Sequence, residues 1–168
     1  MRRIASTFVL PLVIGGALSA QGSAPPAAYP AGPPAAASVY KSWADIDAEL
    51  AKLNPDSLTG AAISVSRAAG NVGVRRRSAV SKQYALIHPR SFEVYQIVDG
   101  SATYVTGGTL TPPLTDNGPD IYRSLAIDGG TSRRVGKGDI IVTPPGTPHW
   151  FSQIDGTITY MEVTFDVK

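Results

Sequence analysis

Residues 136–153 read "GKGDIIVTPPGTPHWFSQ" and hold one of only two histidines in a chain of 168 residues. An apolar run, Ile140–Val142, leads into three prolines and a glycine, and His149 is followed by two aromatic residues. Pro144, Pro145 and Pro148 stiffen the approach to the histidine, and Gly146 permits a tight turn. Past that turn, strand geometry sends His149, Phe151 and Gln153 to one face and Trp150 to the other. A scarce titratable side chain is therefore set by a rigid turn at the head of an apolar strand.

The sequence around this stretch has the same texture. From residue 60 onward short β-rich runs alternate with turn signals: "AISVSR", "YALIHP", "FEVYQIVDG", "SATYVTGG", "IYRSLAI", "DIIVTPPG" and "TITYMEVTFDV". Asp99-Gly100, Asp128-Gly129 and Asp155-Gly156 read as turn-forming pairs, and Gly107-Gly108 as a turn or bulge. Strands at this spacing, with no second helix, predict an all-β sandwich or barrel. The stretch "TLTPPLTDNGPD" (109–120) is too rich in Pro, Asn and Gly for a strand. It reads as a long loop, a place where function often sits. "GGTSRRVGKGD" (129–139) lacks phosphate-loop spacing and a following helix, so it reads as a turn before the histidine segment.

Ahead of the strands, residues 1–24 open with Arg2 and Arg3, run apolar and end in small residues, the layout of a cleaved export signal. Residues 25–38 are a Pro/Ala-rich disordered tether. Residues 39–168 form the folded domain, with a helix over about 42–54. Ser42 caps it, Trp43, Ile46, Leu50 and Leu53 recur at helical spacing, and Pro55 stops it. The expected location is periplasmic or extracellular, with no stable membrane insertion after cleavage. No cysteine is present, so neither disulfides nor a lipid-anchored N-terminus is available. The chain carries 15 Lys+Arg and 13 Asp+Glu; losing Arg2 and Arg3 leaves 13 against 13, which offers nucleic acid little. Arg75-Arg76-Arg77 reads as a solvated strand edge that discourages pairing.

Two segments share a further pattern. In "HPRSFEVYQIVDG", His88 lies five residues before Glu93 and Glu93 seven before Gly100. In the second segment Gly138, Pro144, Gly146 and His149 follow at intervals of six, two and three. These resemble the two motifs of the cupin superfamily over roughly residues 60–166. The second matches well, with Gln153 in the place of the family's asparagine. The first is degenerate, because Leu86 stands where the family has its first histidine.

The resemblance implies a double-stranded β-helix (jelly-roll) barrel, pairing as a homodimer. It also implies one divalent transition metal on His88, Glu93 and His149. Strand alternation agrees: Tyr84, Leu86 and His88 share one face, Glu93, Tyr95 and Ile97 another, and His149, Phe151 and Gln153 a third. If all three faces point into one barrel, two imidazoles and a carboxylate meet in an apolar cavity. That set suits Fe, Mn, Cu, Ni or Zn with open positions, and a cation removes the cost of burying the carboxylate. Leu86 cannot ligate, so Tyr84 and Gln153 become the possible fourth groups, and Tyr95 could offer a phenol to a substrate.

The functional expectation is an exported metal-dependent enzyme acting on a small organic molecule, with oxygenase or oxidase chemistry first and isomerase or lyase chemistry possible. The alternative is a non-catalytic small-molecule or carbohydrate binder that uses the same cavity without metal.

Overall fold

The computed structural model describes residues 38–54, 60–61, 70–118 and 120–167. The export signal, most of the tether and the run "AISVSR" lie outside the described residues.

Among those described, α1 (Trp43–Leu50) precedes eleven strands: β1 (Gly60–Ala61), β2 (Asn71–Ser78), β3 (Ala85–Ile87), β4 (Ser91–Thr106), β5 (Thr109–Leu110), β6 (Thr115–Asp116), β7 (Tyr122–Ser124), β8 (Ile127–Asp128), β9 (Thr131–Gly136), β10 (Ile140–Thr143) and β11 (His149–Asp166). No described helix is long and apolar enough to cross a membrane.

The long antiparallel pair β4 and β11 is the spine. The first half of β4 pairs β10 and the second half of β11, which continues to β2 and β1. The second half of β4 pairs β9 and the first half of β11, and β11 reaches β3, β7 and β6 through His149. Each long strand thus contributes one half to each of two layers, which wrap as a double-stranded β-helix. The inward residues Tyr95, Ile97, Ala102, Tyr104, Val135, Phe151, Ile154, Ile158 and Tyr160 fill the space between them.

Two expected turns are not turns. Asp99-Gly100 and Asp155-Gly156 lie inside β4 and β11, where the register shifts between Ile154 and Ile158. Pairing continues on both sides, Asp99 with Thr159 and Ala102 with Ile154, so the chain bends without reversing. Gly100 adopts φ +79°, and a β-carbon there would lie 2.0 Å from the Thr157 carbonyl oxygen. Only glycine lets the two spine strands approach so closely at the bend. Residues 131–136, read as part of a turn, form β9. The loop at 109–120 carries the short strands β5 and β6.

α1 starts as expected, with the Ser42 hydroxyl accepting from the Asp45 amide at 3.1 Å. It ends at Leu50, short of residue 54, and Leu53 still packs from the following turn against Ile46, Leu50 and Val74 of β2. Trp43 stays 48 % exposed, off the buried stripe.

The arginine triplet also departs from expectation. β2 lies between β1 and β11, not at an edge of the sheet. Alternation sends Arg76 outward to Asp47 of α1 (2.9 Å), while Arg77 is buried among the core aromatics.

Candidate metal centre

Local chain geometry aims each histidine. The turn before β11 is closed by the Gly146 amide, which donates to the His88 carbonyl oxygen at 2.8 Å. This turn therefore ties the two histidine segments together by backbone. His149 then enters β11 opposite Leu86 of β3. Glu93 enters from the first half of β4, two residues before Tyr95 on the same inward face.

The result brings His88, Glu93 and His149 together, with one ligand atom from each within 4.8 Å of the others. Glu93 Oε1 lies 3.6 Å from His88 Nε2, and Glu93 Oε2 lies 3.3 Å from His149 Nε2. The imidazole rings are nearly parallel, with centroids 5.7 Å apart. Glu93 and His149 are buried, at 2 % and 4 % exposure. His149 Nδ1 lies 3.1 Å from the Thr147 carbonyl oxygen. A carbonyl only accepts, so Nδ1 carries the proton and Nε2 presents its lone pair to the cluster. The Tyr95 hydroxyl stands 3.3 Å from the same Nε2. His88 Nδ1 faces away, 4.0 Å from Asp120 Oδ2.

Electrostatically the cluster is short of positive charge. Glu93 Oε2 is buried with no hydrogen-bond partner, a defect that costs about 1–3 kcal/mol when left unsatisfied. Burial pushes the Glu93 carboxyl up to about 8, with Glu162 adding to the shift. Burial also pushes the His149 imidazole down to about 3. It lowers His88 too, against the pull of Asp120. Both imidazoles are held neutral, and once Glu93 ionises its Oε2 lone pair faces that of His149 Nε2. A divalent cation between them would satisfy both, so the donor set fits such an ion.

The cluster opens onto a cleft of about 360 Å³ lined by His88, Glu93, Leu86, Ile121, Arg75 and Arg123, among others. His149 is buried and does not line the cleft. The 109–120 stretch contributes Asn117, Gly118 and Asp120 to the lining.

The proposed supporting groups fall elsewhere. Gln153 is exposed, because the register shifts between Phe151 and Gln153; one extra residue turns Gln153 outward and Ile154 inward. It cannot serve as a fourth ligand. Tyr84 precedes β3 and does not line the cleft; its ring packs near Lys82 Nζ (5.3 Å) and the Arg123 guanidinium (5.8 Å). Tyr95 is buried beside His149, away from the cleft wall, and its phenol is pushed well up by burial.

Sequence reasoning missed the arginines of the cleft. Arg75 binds Glu162. Arg77 donates from Nε to the Tyr160 hydroxyl (2.7 Å) and from Nη1 to Gln83 Oε1 (3.1 Å). Their alternation with Arg76 was readable; that their face is the buried one was not.

No protein-family model matches the sequence, and no curated protein matches it significantly. Solved structures do. A protein with a double-stranded beta-helix domain from Klebsiella pneumoniae is 12 % identical, with TM-score 0.50, over 78 % of this chain and 91 % of that one. The DMSP lyase DddQ from Ruegeria pomeroyi is 20 % identical, with TM-score 0.45, over 70 % and 52 %. The Cnp3 cupin domain of Schizosaccharomyces pombe is 11 % identical, with TM-score 0.47, over 70 % and 72 %. At such identities the likeness is one of fold. The chain has a double-stranded β-helix fold, with a cluster of His88, Glu93 and His149 that could hold a metal.

Proposed function

We propose that this chain is an exported metal-dependent enzyme that binds one divalent transition metal on His88, Glu93 and His149 and acts on a small organic substrate in the adjoining cleft. The observation that carries the reading is the buried Glu93 Oε2, unpartnered and 3.3 Å from a histidine lone pair. A bound metal would supply Lewis-acid or redox chemistry with positions open toward the cleft. The protein's own groups do the rest. The Thr147 carbonyl fixes the His149 tautomer, and Asp120 faces the outer nitrogen of His88. Tyr95 and Tyr104 of the core pack near the His149 ring.

Oxidase or oxygenase chemistry is the reading for a redox-active ion, and isomerase or lyase chemistry for a redox-inert one. Export rests on residues 1–24, and pairing as a homodimer rests on the fold resemblance.

Elemental analysis of the untagged chain, before and after incubation with Fe(II), Mn, Cu, Ni or Zn, tests the proposal. About one ion per chain is expected, and its loss in both His149→Ala and Glu93→Gln. A folded chain that takes up no ion under any condition overturns the metal reading and favours a metal-free binder.

A further inference from the structure

The cleft beside the cluster is lined by three arginines, and they are not equivalent. Arg75 is tied to Glu162. Arg77 is spent on Tyr160 and Gln83. Arg123 of β7 makes no such bond: its Nε is buried without a hydrogen-bond partner, and its guanidinium rests 5.8 Å from the centre of the Tyr84 ring. Of the three acidic groups lining the cleft, Glu93 belongs to the cluster and the other two are already engaged. Asp120 accepts from the Arg90 amide (2.8 Å) and the Ser91 hydroxyl (2.5 Å), and Glu162 belongs to Arg75. A buried donor atom with nothing to bind is costly unless a ligand supplies the acceptor.

Its position is set by backbone register. His149 pairs with Leu86, and Leu86 pairs with Arg123, so the three stand in one row across β11, β3 and β7. Residues paired in one row point to the same side of a sheet. Two strand spacings of about 4.8 Å put the His149 and Arg123 backbones roughly 10 Å apart. Leu86 lies between them, and Leu86 and Ile121 are apolar parts of the cleft wall. The cleft therefore offers a coordinating end at the cluster, an apolar middle and one guanidinium at the far end.

We propose that Arg123 is the anion-recognition residue of this cleft: the small molecule taken at the His88–Glu93–His149 cluster carries a carboxylate on Arg123, joined to its coordinating end by a short apolar segment over Leu86. A planar carboxylate matches a single guanidinium fork. A phosphate dianion would meet the Glu162 and Asp120 carboxylates with only one free arginine to offset them. Tyr84 becomes a platform under Arg123, a positioning residue. This assignment rests on the metal reading for the coordinating end only.

The test titrates malonate, succinate and glutarate, and the monoamide of each, into the full chain loaded with the metal that binds best. Calorimetry reads affinity, and elemental analysis reads metal content in parallel. At least one diacid is expected to bind tenfold or more tighter than its monoamide. Arg123→Gln should erase that difference with metal content unchanged, and Arg123→Lys should restore part of it. The Lys variant also covers the case in which the Gln variant does not fold. Monoamides as tight as the diacids, Arg123→Gln binding diacids as the parent does, or no diacid binding at all would each overturn the proposal. So would a phosphonate analogue that binds tighter than the matching diacid through Arg123. A chain that takes no metal yet binds diacids in an Arg123-dependent way overturns the metal reading and upholds the anion site.

Discussion

Two buried polar groups sit in the same barrel and are treated in opposite ways. Arg77 is enclosed among core aromatics, its guanidinium 5.5 Å from the Phe151 ring and 5.8 Å from that of Tyr160, and its hydrogen bonds are made within the protein. The His88–Glu93–His149 cluster is buried as deeply at Glu93 and His149, yet its carboxylate oxygen lacks a partner and its histidines are held neutral. A satisfied buried polar group belongs to the fold. An unsatisfied one, placed where a cleft gives access, waits for something from outside.

The largest effect expected from breaking this contrast is on Arg77. Arg77→Ala removes two charge-assisted hydrogen bonds and leaves Tyr160 and Gln83 short of a partner. It should cost about 3 kcal/mol or more of stability, read as a lower denaturant midpoint, whether or not metal is present. An unchanged midpoint would mean that the guanidinium is not part of the folded core's support.

The cluster should respond to metal in the opposite sense. Metal at a hundredfold excess over its dissociation constant should stabilise the parent chain by about 2.7 kcal/mol, seen as a rise in Tm, and should do nothing for His149→Ala. Equal shifts in both proteins would place the ion elsewhere.

The metal-free chain should also show a defined pH profile. Glu93 moves from 4.5 to about 8 on folding, so the folded state holds the extra proton over that interval and stability falls as pH rises. His149 moves from 6.5 to about 3, so its contribution rises with pH up to 6.5 and is constant above it. The two oppose each other below pH 6.5. Between pH 6.5 and 8 Glu93 acts alone, and stability should decline by on the order of 1 kcal/mol. Glu93→Gln should flatten that interval, and metal uptake by the parent should strengthen through it as the carboxyl ionises. A Tm that climbs from pH 6.5 to 8 in the metal-free parent would contradict the burial of a protonated Glu93.

The smallest effect concerns Gln153. Exposed and turned away by the bulge, it should tolerate Gln153→Ala within about 0.5 kcal/mol, with metal content unchanged by elemental analysis. Loss of metal would restore it to the cluster and refute the register shift.

Much of the fold was legible because it rests on local signals. β-rich runs at regular spacing and the proline–glycine turn before His149 point to an all-β barrel, and Ser42 caps its helix as its side chain requires. The histidines and Glu93 could be named because scarce ionisable residues stood on motif positions. Period-two counting failed wherever the chain gained a residue. The shift after Phe151 moved Gln153 out and Ile154 in. The bend at Gly100 joined the runs "FEVYQIVDG" and "SATYVTGG" into β4, and the bend at Gly156 joined the strand after His149 to "TITYMEVTFDV" in β11.

The amino-acid order by itself determined the β-rich character of the chain, the capped helix and which residues could bind a metal, since those depend on near neighbours and on side-chain chemistry. Tertiary structure alone decided which face of each strand is buried, because that depends on what lies across the barrel. It sealed Arg77 among aromatics, matched Arg75 with Glu162 and left Arg123 Nε without a hydrogen-bond partner in the cleft. It also brought the lone pairs of Glu93 and His149, on strands more than fifty residues apart in sequence, to 3.3 Å.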